Sequence, residues 1–264
     1  MSPRLAEVWG RLDLVTDPEL DDSVTDMDFI EAVDIGEEGD VLVCFRLPTY
    51  WCSPNFAFLM AEGIRNEVGA LPWVTRVIVR LEDHMCAEEM NAAVNDRRSF
   101  ADAFALREDG GDLSEVREKF ERKAFQRRQE AVLVGLKRAG LAPSKVAAMT
   151  LAKLDAIVFD DPEARRQAPR YRALLVARGL AGAPHDHAFP DLDGAPLTEA
   201  GYADRMGTLR AVRINMEFGG ALCRCLKASR YAGEALPAEE ASPGGPTLVD
   251  FILERVPPRA ATGG

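Results

Sequence analysis

The stretch FIEAVDIGEEGDVLVCFRLPTYWCSP, residues 29–54, decides the fold of the first part of the chain. Residues 29–35 are predicted as a strand. In residues 41–47 large apolar side chains recur at every second position, so they share one face of a second strand. The segment between them, Gly36–Asp40, contains two glycines and is typical of a turn. The stretch therefore predicts a β-hairpin that leads directly into a loop containing Cys52.

The flanking sequence completes a small α+β domain around this hairpin. In chain order the pattern predicts a helix over 5–12, the two hairpin strands, a helix over 54–68, a strand over 74–81 and a short helix over 88–94. Ser53 is a favoured N-cap, and Pro54 is a favoured first residue of a helix. The predicted order is α-β-β-α-β with a three-stranded sheet.

The remainder of the chain carries the 3.6-residue period of helices. Long helices are predicted over 112–139, 162–179 and 198–231, with a loop rich in Pro, Gly and Asp at 181–197. We therefore expect three parts: an α+β domain at residues 1–96, a mainly helical module at 97–246, and a short helix with a disordered tail at 247–264.

The charge distribution changes at the same boundary. Residues 1–96 contain 6 Arg, no Lys and 20 acidic residues, a net charge of −14, whereas residues 97–264 have a net charge of +3. Because an acidic surface repels phosphate groups, nucleic acid is not expected as a partner. The basic helix after residue 112 is either a solvated face or a surface that docks an acidic partner, the first module included.

The composition of the chain also indicates the cellular compartment in which we expect the protein. The 264 residues are 47% hydrophobic but include no apolar run of the roughly 20 residues that a bilayer requires, so no membrane partner is expected. No secretory signal is recognised at the N-terminus. The five cysteines are an odd number and do not suggest a disulfide framework, so a cytoplasmic location is expected.

Cys52 is the residue best placed for chemistry. It directly precedes the predicted helix, where the positive end of the helix dipole favours a thiolate. A thiolate is both a nucleophile and a ligand for soft metals. The alternative is a small buried cysteine packed beneath a turn.

His84 and Cys86 follow the third predicted strand and form a second candidate group. Imidazole and thiolate are ligands of zinc and iron. If this strand ends near the Cys52 loop, Cys52, His84 and Cys86 form a predicted metal site, joined by Asp17 or Glu19. The alternative is a connecting loop with one half-buried histidine.

Two further pairs of residues, one of histidines and one of cysteines, are weaker candidates for a metal site. His185 and His187 lie two residues apart in the loop at 181–197, where they are most simply exposed side chains. Cys223 and Cys225 lie on a predicted helix about 200° apart, so both cannot face one site on that helix. We expect one of them to pack in a core.

Residues 5–94 resemble the small metal–sulfur (iron–sulfur) cluster assembly domain family of the PaaD/SufT type. The resemblance begins with the opening helix. The features that match after it are, in chain order, Asp17–Leu20, Ser23-Val24, the hairpin, Leu47–Pro54 and the closing strand at Val77–Val79. The chain departs from the usual pattern at Ser53, which separates the cysteine from Pro54. The helical module resembles no family that we recognise.

The resemblance implies that Cys52 is the functional thiolate, supported by Asp17 and Glu19 in one loop and by Thr49 in the other. It implies an accessory protein that delivers or inserts iron or an Fe–S cluster, transiently bound, into a client apoprotein. Longer versions of the domain occur beside bacterial non-haem di-iron monooxygenases, so a component of such an enzyme is the expected client.

Two other functions stay open from the residues. A scaffold or chaperone would bind the client without handling metal, with Cys52 as a structural residue. A thiol-dependent enzyme is disfavoured because no histidine near Cys52 in sequence offers a base. The common phosphate-loop, serine-hydrolase and zinc-protease motifs are also absent, so we expect no enzymatic activity.

Overall fold

The computed structural model describes residues 2–104 and 113–231. Its helices are α1 (Pro3–Leu12), α2 (Pro54–Gly69), α3 (Ala87–Asn95), α4 (Phe100–Ala103), α5 (Ser114–Arg138), α6 (Pro143–Ala147), α7 (Leu151–Asp155), α8 (Pro162–Ala177) and α9 (Tyr202–Tyr231); its strands are β1 (Ile30–Ile35), β2 (Asp40–Arg46) and β3 (Arg76–Glu82). The predicted linker at 233–246 and the predicted short helix and tail at 247–264 lie outside the described residues. No helix within the described ranges is long and apolar enough to cross a membrane.

The fold class is α+β, as predicted. The sheet has the order β1-β2-β3, with β1 antiparallel to β2 and β2 parallel to β3. Because parallel neighbours need a crossover connection, α2 runs between β2 and β3 and covers one face of the sheet. After residue 112 the regular secondary structure of the described chain is helical, and its strand pairing is limited to isolated bridges.

One helix cap and one helix boundary differ from the sequence pattern. Ser53 occupies the N-cap position of α2, but its side chain makes no capping hydrogen bond. The helix predicted from Thr198 begins at Tyr202, because the Thr198 hydroxyl accepts a hydrogen bond from Gly201 N and closes a turn before the helix. Neither difference moves the Cys52 loop away from the start of α2.

Residues 1–230 form one compact unit with two apolar clusters. The first cluster surrounds the sheet and buries, among others, Phe29, Phe45, Met60 and Ile64. The second lies between α5 and α8, where Phe125 packs against Tyr171 with ring centroids 5.4 Å apart. The helical region therefore has a core of its own beside that of the sheet.

The basic face of α5 docks onto the acidic first region, which was one of the two predicted alternatives. Arg128 forms a bidentate pair with Asp21, at 2.5 and 2.9 Å, and the Asp21 side chain is only 2% exposed. Arg127 donates to the Asp21 carbonyl at 2.8 Å and to the Asp22 carboxylate at 2.5 Å. These charges fix the orientation of α5, while apolar contacts such as Phe120 on Phe56 supply buried area.

We expect Arg128→Ala to destabilise the protein by about 3 kcal/mol, because it removes the bidentate partner of a buried carboxylate. Arg127 still contacts Asp21 in this variant, so the loss of stability is expected at the lower end of the range for broken buried ion pairs. Chemical denaturation at neutral pH measures the free energy of unfolding of the variant and the wild type.

Arg122→Ala is the matched control. Arg122 lies on the same helix and is exposed, so its replacement is expected to change the free energy of unfolding by less than about 0.5 kcal/mol. Equal effects of the two substitutions would contradict the assigned role of the Arg128–Asp21 pair.

Candidate functional site

Cys52 lies in the loop between β2 and α2, immediately before the N-cap of the helix. Its side chain is half-buried. The Thr49 hydroxyl lies 3.1 Å from the Cys52 sulfur, and Cys52 N donates to the Thr49 carbonyl at 3.4 Å. Thr49 therefore contacts the thiol directly, and its supporting role stays a prediction.

The Asp-Pro-Glu turn holds Asp17 in a buried position. One carboxylate oxygen of Asp17, Oδ1, accepts hydrogen bonds from Glu19 N and Leu20 N, each at 2.9 Å. Asp17 as a whole residue is only 8% exposed to solvent. Burial raises the pKa of Asp17 to about 6, although the two backbone hydrogen bonds oppose this shift and nearby Glu19 and Asp22 add to it.

Glu19 has a different setting in the same turn. Its side chain is half exposed and lies 3.6 Å from the Lys123 ammonium on α5. Glu19 thus faces the docked helix, whereas Asp17 is enclosed.

His84 ties the loop after β3 to the Cys52 loop. Its Nε2 lies 2.7 Å from the Cys52 carbonyl oxygen, and its Nδ1 accepts a hydrogen bond from Cys86 N at 3.2 Å. This pairing assigns the tautomer with the proton on Nε2, which donates to the carbonyl. Both ring nitrogens are therefore engaged with backbone groups, and His84 positions the loop that carries the thiol.

Cys86 is fully buried in the first apolar cluster, at 0% exposure. In residues 2–104 and 113–231, no group of three or more His, Cys, Asp or Glu side chains has the spacing of a metal site. The structure thus brings His84 to the backbone of Cys52, while metal ligation by Cys52, His84 and Cys86 stays a prediction.

Cys223 on α9 is half-buried and packs against the first apolar cluster, as Cys52 does. Burial is the main cause that raises the pKa of its thiol to about 11, and the charges of Asp17, Cys52 and Glu19 add to the shift. Sequence reasoning placed Cys223 on a helix but could not tell that it, and not Cys225, packs inward. Cys225 is exposed, so only one of this pair packs inward, as expected.

His185 and His187 lie in the loop before α9, in a different part of the molecule. His185 is largely exposed, and Asp186 between them accepts hydrogen bonds from Gly182 N and Ala183 N. His187 pairs with Thr150 in an isolated β-bridge. The pair does not contribute to the Cys52 region.

Exposed apolar side chains border the thiol. Trp51 is 71% exposed, and Tyr50 and Met85 are also exposed. Met85 N donates to the Tyr50 carbonyl at 2.9 Å, which joins the two loops that carry them. The surface beside Cys52 is thus apolar and accessible to another protein.

We expect Asp17 to make stability fall as the pH rises from about 4 to about 6. In this range the folded chain retains a proton that the unfolded chain has lost, and the raised pKa corresponds to at most about 3 kcal/mol. Asp17→Asn keeps the acceptor oxygen without the charge, so the variant should be more stable than the wild type at pH 7 and similar to it near pH 4.

Urea denaturation at several pH values tests this expectation. Glu19→Gln, in the same turn but half exposed, serves as the control and should follow the pH dependence of the wild type. A stability difference between Asp17→Asn and the wild type that stays constant from pH 4 to pH 7 would show that Asp17 is not the group responsible.

Comparison with known proteins bears on the first third of the chain. No curated protein and no solved structure matches the sequence. Residues 5–79 match the model of a family described as iron–sulfur cluster assembly protein. The matched segment runs from α1 into β3 and includes Asp17, Glu19, Thr49 and Cys52, whereas His84, Cys86 and Cys223 lie beyond it. In this segment the chain is similar to iron–sulfur cluster assembly proteins.

Proposed function

We propose that this protein is an accessory factor in metallocentre assembly that delivers iron or an Fe–S cluster to a client apoprotein. The family match of residues 5–79 supports a role in iron–sulfur or metallocentre assembly. The observation that carries the finer proposal is the position of Cys52, a half-buried cysteine within that matched segment, at the start of α2 and with its thiol in contact with Thr49. Iron or the cluster is then the cargo of the protein.

The arrangement around Cys52 suits a carrier. A thiolate is a strong ligand for iron, but a permanent structural site normally has four protein ligands. Ligation by fewer protein groups leaves coordination positions for a client and makes release easier. The half-buried position of Cys52 therefore favours transient binding.

Client recognition is proposed at the apolar surface beside the thiol. Trp51 is largely exposed, and aromatic side chains of this kind are enriched where proteins bind one another. Docking there would bring a client within reach of Cys52. A component of a bacterial non-haem di-iron monooxygenase is the proposed client, and this part of the proposal rests on the family resemblance alone. No turnover of a small substrate is proposed.

The engagement of His84 with backbone atoms favours one alternative, a scaffold that binds the client without metal. In that case Cys52 would serve only to shape its loop. His84 holds this loop through the 2.7 Å contact between His84 Nε2 and the Cys52 carbonyl oxygen. Metal content distinguishes the scaffold from the carrier.

The test is iron retention by the full chain, purified without oxygen after expression with added iron. We expect bound iron in the wild type and at least about a tenfold loss in Cys52→Ser, since even outer-shell changes at metal sites cost 10–100-fold in affinity. Cys225→Ser, which changes an exposed cysteine, should retain the iron. Iron content unchanged in Cys52→Ser would support the scaffold instead.

Cluster transfer is a second, independent measurement. The iron-loaded chain is mixed with a purified plant-type apo-ferredoxin as a generic acceptor, and formation of the ferredoxin cluster is followed by visible absorbance. We expect Trp51→Ala to slow transfer while keeping the iron content of the donor, because Trp51 contributes contact area and not ligation. Loss of iron from the Trp51→Ala donor itself would contradict this division of roles.

A further inference from the structure

A cavity of about 360 Å³ lies where α2 and α3 end and β3 begins. Three arginines line it: Arg65 near the end of α2, Arg76 at the start of β3 and Arg97 just after α3. None of the described residues in its lining is acidic. The cavity is thus a local exception to the acidic charge of residues 1–96. Since α2 has 16 residues and is about 24 Å long, the cavity is far from Cys52 at the other end of that helix.

Oxygen atoms of the backbone and of one amide hold the Arg65 guanidinium at the wall of the cavity. Its Nη1 donates to the Val94 carbonyl at 2.6 Å, and its Nε and Nη2 donate to Asn66 Oδ1 at 3.3 and 3.0 Å. The neighbouring carboxylate of Glu62 pairs with Arg117 at 2.6 Å and does not line the cavity. The Arg65 guanidinium is therefore fixed in place by neutral acceptors, and its charge remains available to a ligand.

Arg97 occupies a backbone position at which helices commonly have glycine. Its φ is 59°, in the left-handed region. Arg97 N donates to the Val94 carbonyl at 3.2 Å, and Arg98 N donates to the Ala93 carbonyl at 2.9 Å. This pair of bonds is the Schellman motif, in which glycine avoids the steric cost of a positive φ. The chain therefore accepts backbone strain here and places a guanidinium at the cavity.

Like charges converge on the cavity without acidic groups to neutralise them. Burial is the main cause that lowers the pKa of Arg65, Glu62 opposes the shift, and the charge of Arg97 adds to it. Within residues 2–104 and 113–231, the side chains of Arg76 and Arg97 make no ion pair. The C-terminal ends of α2 and α3 contribute roughly half a negative charge each, so the three guanidinium groups leave a net charge of about +2.

We propose that this cavity binds the phosphate group of a small molecule, held by Arg65, Arg76 and Arg97. The planar guanidinium fork suits phosphate oxygens, and the two negative charges of a phosphate group match the net charge of the cavity. Small-molecule sites have volumes of about 300–1,000 Å³, and this cavity has more room than a phosphate ion fills. The ligand class is therefore a small phosphorylated molecule. The inference goes beyond the proposed function, because it involves neither iron nor the Cys52 loop.

The test is calorimetric titration of the full chain with two probes, inorganic phosphate and glycerol 3-phosphate, in chloride buffer of constant ionic strength. We expect both probes to bind at one site per chain. Arg76→Ala should weaken binding by at least about tenfold, because it removes a charge-assisted hydrogen bond. Arg80→Ala is the matched control. Arg80 is exposed on the same strand but does not line the cavity, so this variant should bind as the wild type does.

Arg97→Gly separates binding from folding. Glycine adopts a positive φ without strain, so this variant should keep or raise the urea concentration at the midpoint of unfolding. We expect it nevertheless to weaken phosphate binding by at least about tenfold. Loss of binding in a variant of undiminished stability would support the site, because a destabilised fold could not explain it.

The other outcomes would overturn the proposal. They are the absence of saturable binding of either probe, wild-type affinity in Arg76→Ala or Arg97→Gly, and a loss of affinity in Arg80→Ala equal to that in Arg76→Ala. Binding of inorganic phosphate without glycerol 3-phosphate would overturn the assignment to a small phosphorylated molecule. Iron retention is measured separately, so the proposed function stands or fails independently of these results.

Discussion

The burial of the acidic turn at residues 17–22 is the constraint on which the arrangement of the molecule depends. A carboxylate as enclosed as that of Asp21 requires a cationic partner, and α5 supplies it through Arg127 and Arg128. The position of α5 in turn brings α8, which packs along it, against the first region. The charge difference between the two halves of the sequence thus becomes a set of specific ion pairs, and those at this turn include the most buried acceptor, Asp21.

The same turn shapes the candidate site. Backbone hydrogen bonds at Glu19 and Leu20 fix the Asp17 carboxylate, and the packing that encloses the turn removes water from it. The pKa of Asp17 therefore rises to about 6 even though two N–H groups favour its charged form. The docking of the helical region thus leaves one carboxylate of the turn, Asp21, paired with arginine and another, Asp17, with a raised pKa.

Local pattern was enough to predict the sheet and the position of Cys52. The strands have a period of two, the Gly36–Asp40 turn separates them, and Pro54 marks the start of α2; all these signals lie within a few residues of the structure that they predict. The role of His84 could not be read in this way, because it depends on which atoms face each ring nitrogen. Cys223 was predicted only as one of two cysteines on a helix, since which of the two packs inward depends on how α9 packs against a turn some two hundred residues earlier.

The helical region packs directly against the α+β region that precedes it. Along the C-terminal half of α9, Gly219 approaches Leu20, and Arg224, Lys227 and Arg230 pair with Asp22, Glu31 and Asp83. The Arg224 and Arg230 pairs are partly exposed and contribute only about 0–1 kcal/mol each. Lys227 is buried, so the loss of its carboxylate partner would cost more. Lys227 therefore holds the C-terminal half of α9 in place more strongly than the two arginine pairs on either side of it.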